Sequence, residues 1–205
     1  MPVVTSGDLH GFQLWINLPA KDKMMKPRYQ DYQAEDIPVA EKDGASVRVM
    51  AGDSMGIHGP IKLRNPGLLL DVRLAPGATW QQAVPTEWNG FAAVRTEWNG
   101  FAAVPTEWNG FAYVYEGAGR IGDKAAQPEH AYVLHNEGDT VQATASEAGL
   151  KFLLICGKPI GERIVQHGPF VMNHELEIRQ AFMDYQEGKL QRPEDNPWVD
   201  EKDEL

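Results

Sequence analysis

Leu68-Leu-Leu-Asp-Val-Arg-Leu74 alternates. Leu68, Leu70, Val72 and Leu74 point one way, while Leu69, Asp71 and Arg73 point the other, the two-residue period of a strand with one face on a core. Asn65-Pro-Gly67 before it and Pro76-Gly77 after it are turn signals. The same rhythm extends on both sides. Val47 and Val49 alternate with Arg48 and Met50, Gly52 and Gly56 interrupt, and a short strand is predicted over Ile57 to Leu63. Downstream, Phe111 to Tyr115 reads as a strand closed by Gly117 and Gly119, and Ala131 to Leu134 as another. Val141, Ala143 and Ala145 alternate with polar partners, and Lys151 to Cys156 is apolar enough to be a central strand buried on both faces. Short strands at regular spacing predict an all-β sandwich or barrel.

His10 to Leu18 also alternates, with Phe12, Leu14, Ile16 and Leu18 on one side, and predicts a half-buried strand ended by Pro19. Ala20 to Pro38 is polar and reads as a connector, and Gly157 to Pro169 as a turn-rich link. One helix is predicted after Asn173 as N-cap, with Glu175 and Glu177 at its positive end. Ile178, Ala181, Phe182 and Tyr185 form its buried stripe, and Gly188 its stop. Arg192 to Leu205 is an acidic tail.

A ten-residue phrase is written three times between Pro85 and Val114. Thr86-Glu-Trp-Asn-Gly-Phe-Ala-Ala-Val94 recurs from Thr96 and again from Thr106. Each Asn-Gly pair is a hairpin signal, yet the unit is shorter than solenoid modules. Two spare copies over 85–104 are expected to be a tandem duplication tolerated in a loop. The competing arrangement is an extra β-meander whose edge Arg95 and Pro105 would protect. Because the repeat is copied, the regular spacing of Glu87, Glu97 and Glu107 is no sign of paired carboxylate catalysis.

Composition narrows the function. With 205 residues the chain is long enough to bury a real core. A net charge of -10 opposes binding nucleic acid through its phosphates. The single Cys156 lies in an apolar run and reads as a buried core residue. No apolar run approaches the ~20 residues that cross a bilayer, and the first residues lack the pattern of a signal peptide. The expectation is therefore no membrane, no direct nucleic acid, and residence in the nucleus and/or cytoplasm. The terminal Lys202-Asp203-Glu204-Leu205 is identical to a lumenal retention signal, but without a signal peptide it reads as the chance end of the tail.

Gly11-Phe-Gln-Leu-Trp-Ile-Asn-Leu-Pro19, Lys23-Met-Met-Lys-Pro-Arg-Tyr-Gln30 and Gln166-His-Gly-Pro-Phe-Val-Met-Asn173 together resemble the pirin family, in particular its plant members. The resemblance covers nearly the whole chain. Pirins are bicupins, so it implies a cupin-type jelly roll (double-stranded β-helix) with a carboxy-terminal helix, here a partial bicupin. Residues 1–38 would be a remnant strand of the amino-terminal barrel plus connector. Residues 39–160 would be the carboxy-terminal barrel with the insertion at 85–104, and 161–205 the link, helix and acidic tail.

In the family the amino-terminal barrel holds iron through three histidines and a glutamate, introduced by a His-Pro-His-x-Gly-type phrase. No such phrase occurs before Gly11. The six histidines, His10, His58, His130, His135, His167 and His174, include no His-x-His pair of the kind that cupin sites use. A spacing of five would place His130 and His135 on opposite faces of a continuous strand. They are read as surface or turn histidines, so no catalytic, cofactor-binding or metal-ligating residue is assigned and no cofactor is expected. The resemblance implies a regulatory protein that binds transcription factors or a G-protein α subunit. Its alternative is a metal-dependent quercetin 2,3-dioxygenase. Apolar faces at Phe12 to Leu18 and Ile178 to Tyr185 add an expectation of self-association.

Overall fold

The computed structural model describes residues 11–85, 110–134 and 139–190. Twelve strands and one helix follow in chain order: β1 Val39–Lys42, β2 Ala45–Ala51, β3 Asp53–Ser54, β4 Ile57–His58, β5 Gly67–Leu74, β6 Thr79–Ala83, β7 Gly110–Ile121, β8 Lys124–Ala126, β9 His130–Val133, β10 Thr140–Gly157, β11 Val165–His167, β12 Phe170–Met172 and α1 Glu175–Gln186. Eight strands make one sheet in the order β1-β2-β5-β10-β7-β8, with β6 added on β10 and β9 on β7. Every pairing is antiparallel.

Strand β10 is the spine. Its first half pairs with β6 from Thr140↔Ala83 to Thr144↔Thr79, and its second half lies between β5 and β7. The register against β7 shifts between Ala145 and Leu150, and an irregularity of this kind bends a strand, so β10 can pair with β6 before it and β5 after it. Inside the bend sit Val47, Val49, Leu70, Val72, Val114, Leu150, Phe152 and Leu154, all fully buried. Burying each side chain of this kind contributes about 1.5–3 kcal/mol, so the alternation of the sequence converts directly into the core.

Several expectations are corrected. Gly11 to Leu18 is not a strand: it makes no backbone ladder among the described residues and Gly11 to Ile16 are exposed. Alternation supplies a face, but a strand exists only when another strand accepts its backbone groups. The segment predicted over Ile57 to Leu63 shortens to Ile57–His58, paired with β3. Gly117 and Gly119 do not close β7, which runs on to Ile121. Strands β1, β6 and β8 were not evident in the sequence, and the link at Gly157 to Pro169 holds β11 and the start of the hairpin to β12. Helix α1 is capped one residue later than expected, at His174. The Glu177 carboxylate accepts the backbone N–H of both Asn173 and His174, which satisfies donors that the helix itself leaves open.

The central strand at Lys151 to Cys156 is present as expected between β5 and β7, but it is not buried throughout on both faces: Phe152, Leu154 and Cys156 are buried inward, while Lys151 and Ile155 on the outer face are half-buried. Helix α1 packs Phe182 against His167 and Phe170 of the β11–β12 hairpin, with ring centroids 5.2 and 5.0 Å apart. Gly188 follows the helix with a φ of 74°, the left-handed stop predicted for it. The last copy of the repeat runs into β7 from Gly110 onward. The two spare copies lie outside the described residues, as do His10, His135 and the acidic tail.

Candidate functional site

The barrel interior is the first place to look for chemistry, because cupin-like sheets curve around it. Its walls are hydrocarbon. Trp80 stands edge-on to Phe152 at 5.9 Å, and the polar groups that intrude are Gln82 and Ser54. Gln82 Nε2 donates to the carbonyls of Asp53 (3.0 Å) and Ala83 (2.8 Å) and so ties β6 to the β3–β4 hairpin. Cys156 is buried in the same core, as the sequence predicted.

The opposite, outward face of the sheet carries the more organised polar group. Asp71 interrupts an apolar run, and its side chain is only 12% exposed. Tyr115 Oη donates to its Oδ1 at 2.6 Å. Arg73 reaches Oδ2 with both Nε (3.2 Å) and Nη2 (2.9 Å). Arg73 lies two residues along the same strand, hence on the same face. Tyr115 arrives from β7 across β10, where Asp71 faces Leu153 and Leu153 faces Tyr113. Phe12 lies over this patch, with its ring centroid 5.7 Å from Tyr113 and 5.9 Å from Tyr115.

The electrostatics are those of a satisfied buried carboxylate. The Asp71 hydrogen bond and charge raise the Arg73 guanidinium further above its usual value. Burial first, then the bond to Asp71, pushes the Tyr115 phenol well above the usual tyrosine range. Burial alone pushes the Cys156 thiol up to about 12. Both groups are acids that hold their proton more tightly in the folded protein than unfolded, so between the two pKa values the unfolded chain binds fewer protons. Their contribution is full below the unfolded pKa, near 9.0 for the thiol and 10.0 for the phenol, and is lost as pH rises above it. Urea titrations should therefore show stability falling from about pH 9 upward. Cys156→Ala should flatten the first part of that fall; an unchanged slope would refute the thiol's share.

A second network ties the amino-terminal connector to the region around α1. Lys23 Nζ donates to Asn17 Oδ1 and to the Val171 carbonyl (3.2 Å). Ala20 N–H and Asn173 Nδ2 both donate to Glu162 Oε2, at 2.7 and 3.0 Å. Burial lowers the Lys23 ammonium below its ordinary value, while Glu162 and Glu177 act in the opposite direction. These bonds clamp Asn17 to Lys23 against α1 and its hairpin.

Comparison with known proteins fits this architecture. The profile of the Pirin C-terminal cupin domain matches residues 97–191. The pirin-like protein of Solanum lycopersicum is 42% identical over 186 residues, covering 89% of this chain, and the pirin of Homo sapiens is 38% identical over 185 residues, covering 88%. The chain belongs to the pirin family. It spans 57% of the length of each of these two relatives. Among solved structures, a quercetin 2,3-dioxygenase from Acinetobacter baumannii superimposes with a TM-score of 0.71 at 30% identity, over 86% of this chain and 55% of that one.

The iron of the pirin family is the group to test against these residues. It does not fit them. His58 Nδ1 lies 2.9 Å from Asp53 Oδ1 at the solvent-facing β3–β4 hairpin. His130 Nδ1 is 2.7 Å from the Pro128 carbonyl, His167 packs on Phe182, and His174 caps α1. No group of three or more His, Cys, Asp or Glu side chains among the described residues could hold a metal ion. The sequence reading missed the Asp71–Arg73–Tyr115 cluster. Its visible signal was an aspartate inside Leu69-Leu-Asp-Val72 with an arginine two places on; Tyr115 was not predictable, because only the sheet order brings it there.

Proposed function

We propose that this pirin acts through protein contacts, as a regulatory binding module and not as an enzyme. Supporting this reading is the inner face of its sheet: Val47, Val49, Leu70, Val72, Val114, Phe152 and Leu154 fill it with hydrocarbon, and a metal-assisted reaction needs donors there. The partner classes that the family resemblance suggests are transcription factors and a heterotrimeric G-protein α subunit, met in the nucleus or cytoplasm. No helix among the described residues is long and apolar enough to cross a membrane.

A second reading rests on the dioxygenase that this chain superimposes on at 30% identity. In it, the chain is part of a flavonol-cleaving enzyme, with the metal supplied by residues beyond those that match. Metal analysis of the purified 205-residue chain, together with oxygen uptake on quercetin, separates the two. The expected result is substoichiometric iron, no flavonol-dependent oxygen uptake, and saturable calorimetric binding to a G-protein α subunit or a transcription factor. Stoichiometric iron with quercetin consumption would overturn the proposal.

A further inference from the structure

Gly11 to Leu18 has the alternation of a strand and the position of none. Among the described residues its backbone makes no hydrogen bond to any other segment. Phe12, Leu14, Trp15 and Ile16 are 57, 37, 63 and 44% exposed. Yet the segment is held at both ends. Phe12 is seated on Tyr113 and Tyr115, and Asn17, Ala20 and Lys23 are bonded to each other, to Glu162 and to Val171. Unpaired strand groups presented on a fixed base are a template for another strand, and fixing them in advance lowers the cost of ordering.

From this we propose that the segment is a homodimerisation strand, pairing antiparallel with the same segment of a second copy about a two-fold axis at Trp15. The sequence is complementary to itself in that register. Phe12 falls opposite Leu18, Leu14 opposite Ile16, Gln13 opposite Asn17, and Trp15 opposite its own copy, so apolar side chains meet apolar ones on one face and amides meet on the other. Charge favours the same place. The chain carries a net charge of -10, but Gly11 to Ala20 contains no charged residue, so two copies meet here without like charges in the ladder. The four exposed side chains offer on the order of 400 Å² per copy, which with the backbone reaches the roughly 1,000 Å² of a small specific interface. A two-stranded ribbon alone is marginal in water, but this one would lie on a folded sheet from each side.

The test is sedimentation velocity of the intact chain. Dimer should appear across about 5–200 μM and increase with salt as the net charge is screened. Trp15→Pro removes the N–H at the axis and should weaken dimerisation at least about tenfold. The segment belongs to no strand or helix, so urea stability measured at dilutions where both proteins are monomeric should be unchanged. Trp15→Cys gives an independent reading, because antiparallel partners stand about 4.5–5.5 Å apart, within disulfide range. Mild oxidation should crosslink it, whereas the exposed Glu35→Cys should stay uncrosslinked. A monomer throughout that range, a dimer indifferent to Trp15→Pro, or equal crosslinking of the two cysteine variants would overturn the proposal. Partner binding is scored separately, so a monomer that still bound its partner would leave the regulatory reading intact.

Discussion

Phe152→Ala should lower the unfolding free energy by about 3–5 kcal/mol, against a total of roughly 5–15 kcal/mol for a domain of ordinary stability. Phe152 is fully buried in the middle of β10, in register with Val72 on one side and Val114 on the other, and its ring meets Trp80. Truncation removes the transfer free energy of the ring and leaves a void. Three strands border that void, so collapse into it would disturb both halves of the sheet. Urea denaturation should show a lower midpoint with an unchanged slope. Leu176→Ala on α1, where Leu176 is 74% exposed, serves as the control and should change stability by less than about 0.5 kcal/mol. A Phe152→Ala loss below about 1 kcal/mol would mean that the core does not converge on this ring.

Gly117→Val should be of similar severity for a different reason. A side chain at 117 would place its Cβ 2.3 Å from the Gly149 carbonyl oxygen and 3.1 Å from the Leu150 Cα, and Gly117 has a φ of 78°. The left-handed conformation costs a β-branched residue about 1–2 kcal/mol, and forcing the backbone of β10 away adds about 1–3 kcal/mol. Gly77→Ala separates the two contributions. Gly77 has a φ of 71°, but a Cβ there would meet nothing within 4 Å, so only the conformational part, about 1 kcal/mol, should appear. If Gly117→Val cost no more than Gly77→Ala, the close approach of β7 to β10 at the bulge would be wrong.

These two sites explain why β10 organises the molecule. Phe152 holds the core from within, and Gly117 permits the close approach at the register shift across which β10 keeps β7 on one side while its other neighbour changes from β6 to β5. The function proposed above depends on the same economy of space. Under that proposal, recognition falls to the outer faces, where Asp71, Arg73 and Tyr115 and the segment Gly11 to Leu18 lie.

The sequence by itself determined the all-β class, the core face of β5 and β10, the helix with its glycine stop, the buried character of Cys156 and the membership of the pirin family. In each case the cause is local. Alternation, turn residues and capping act between neighbours along the chain, and the pirin phrases are contiguous. What lay beyond that reading depended on which strand meets which. Strands as short as β1 and β8 lack enough residues to show a period, and β11 and β12 are three-residue strands whose hairpin packs against α1. Asp71, Arg73 and Tyr115 come from two strands separated in the sheet by β10, so only the tertiary structure could unite them. The reverse holds for Gly11 to Leu18, where the period is perfect and no strand is found: alternation chooses a face, but hydrogen-bond partners make a strand, and the described residues supply none for that segment.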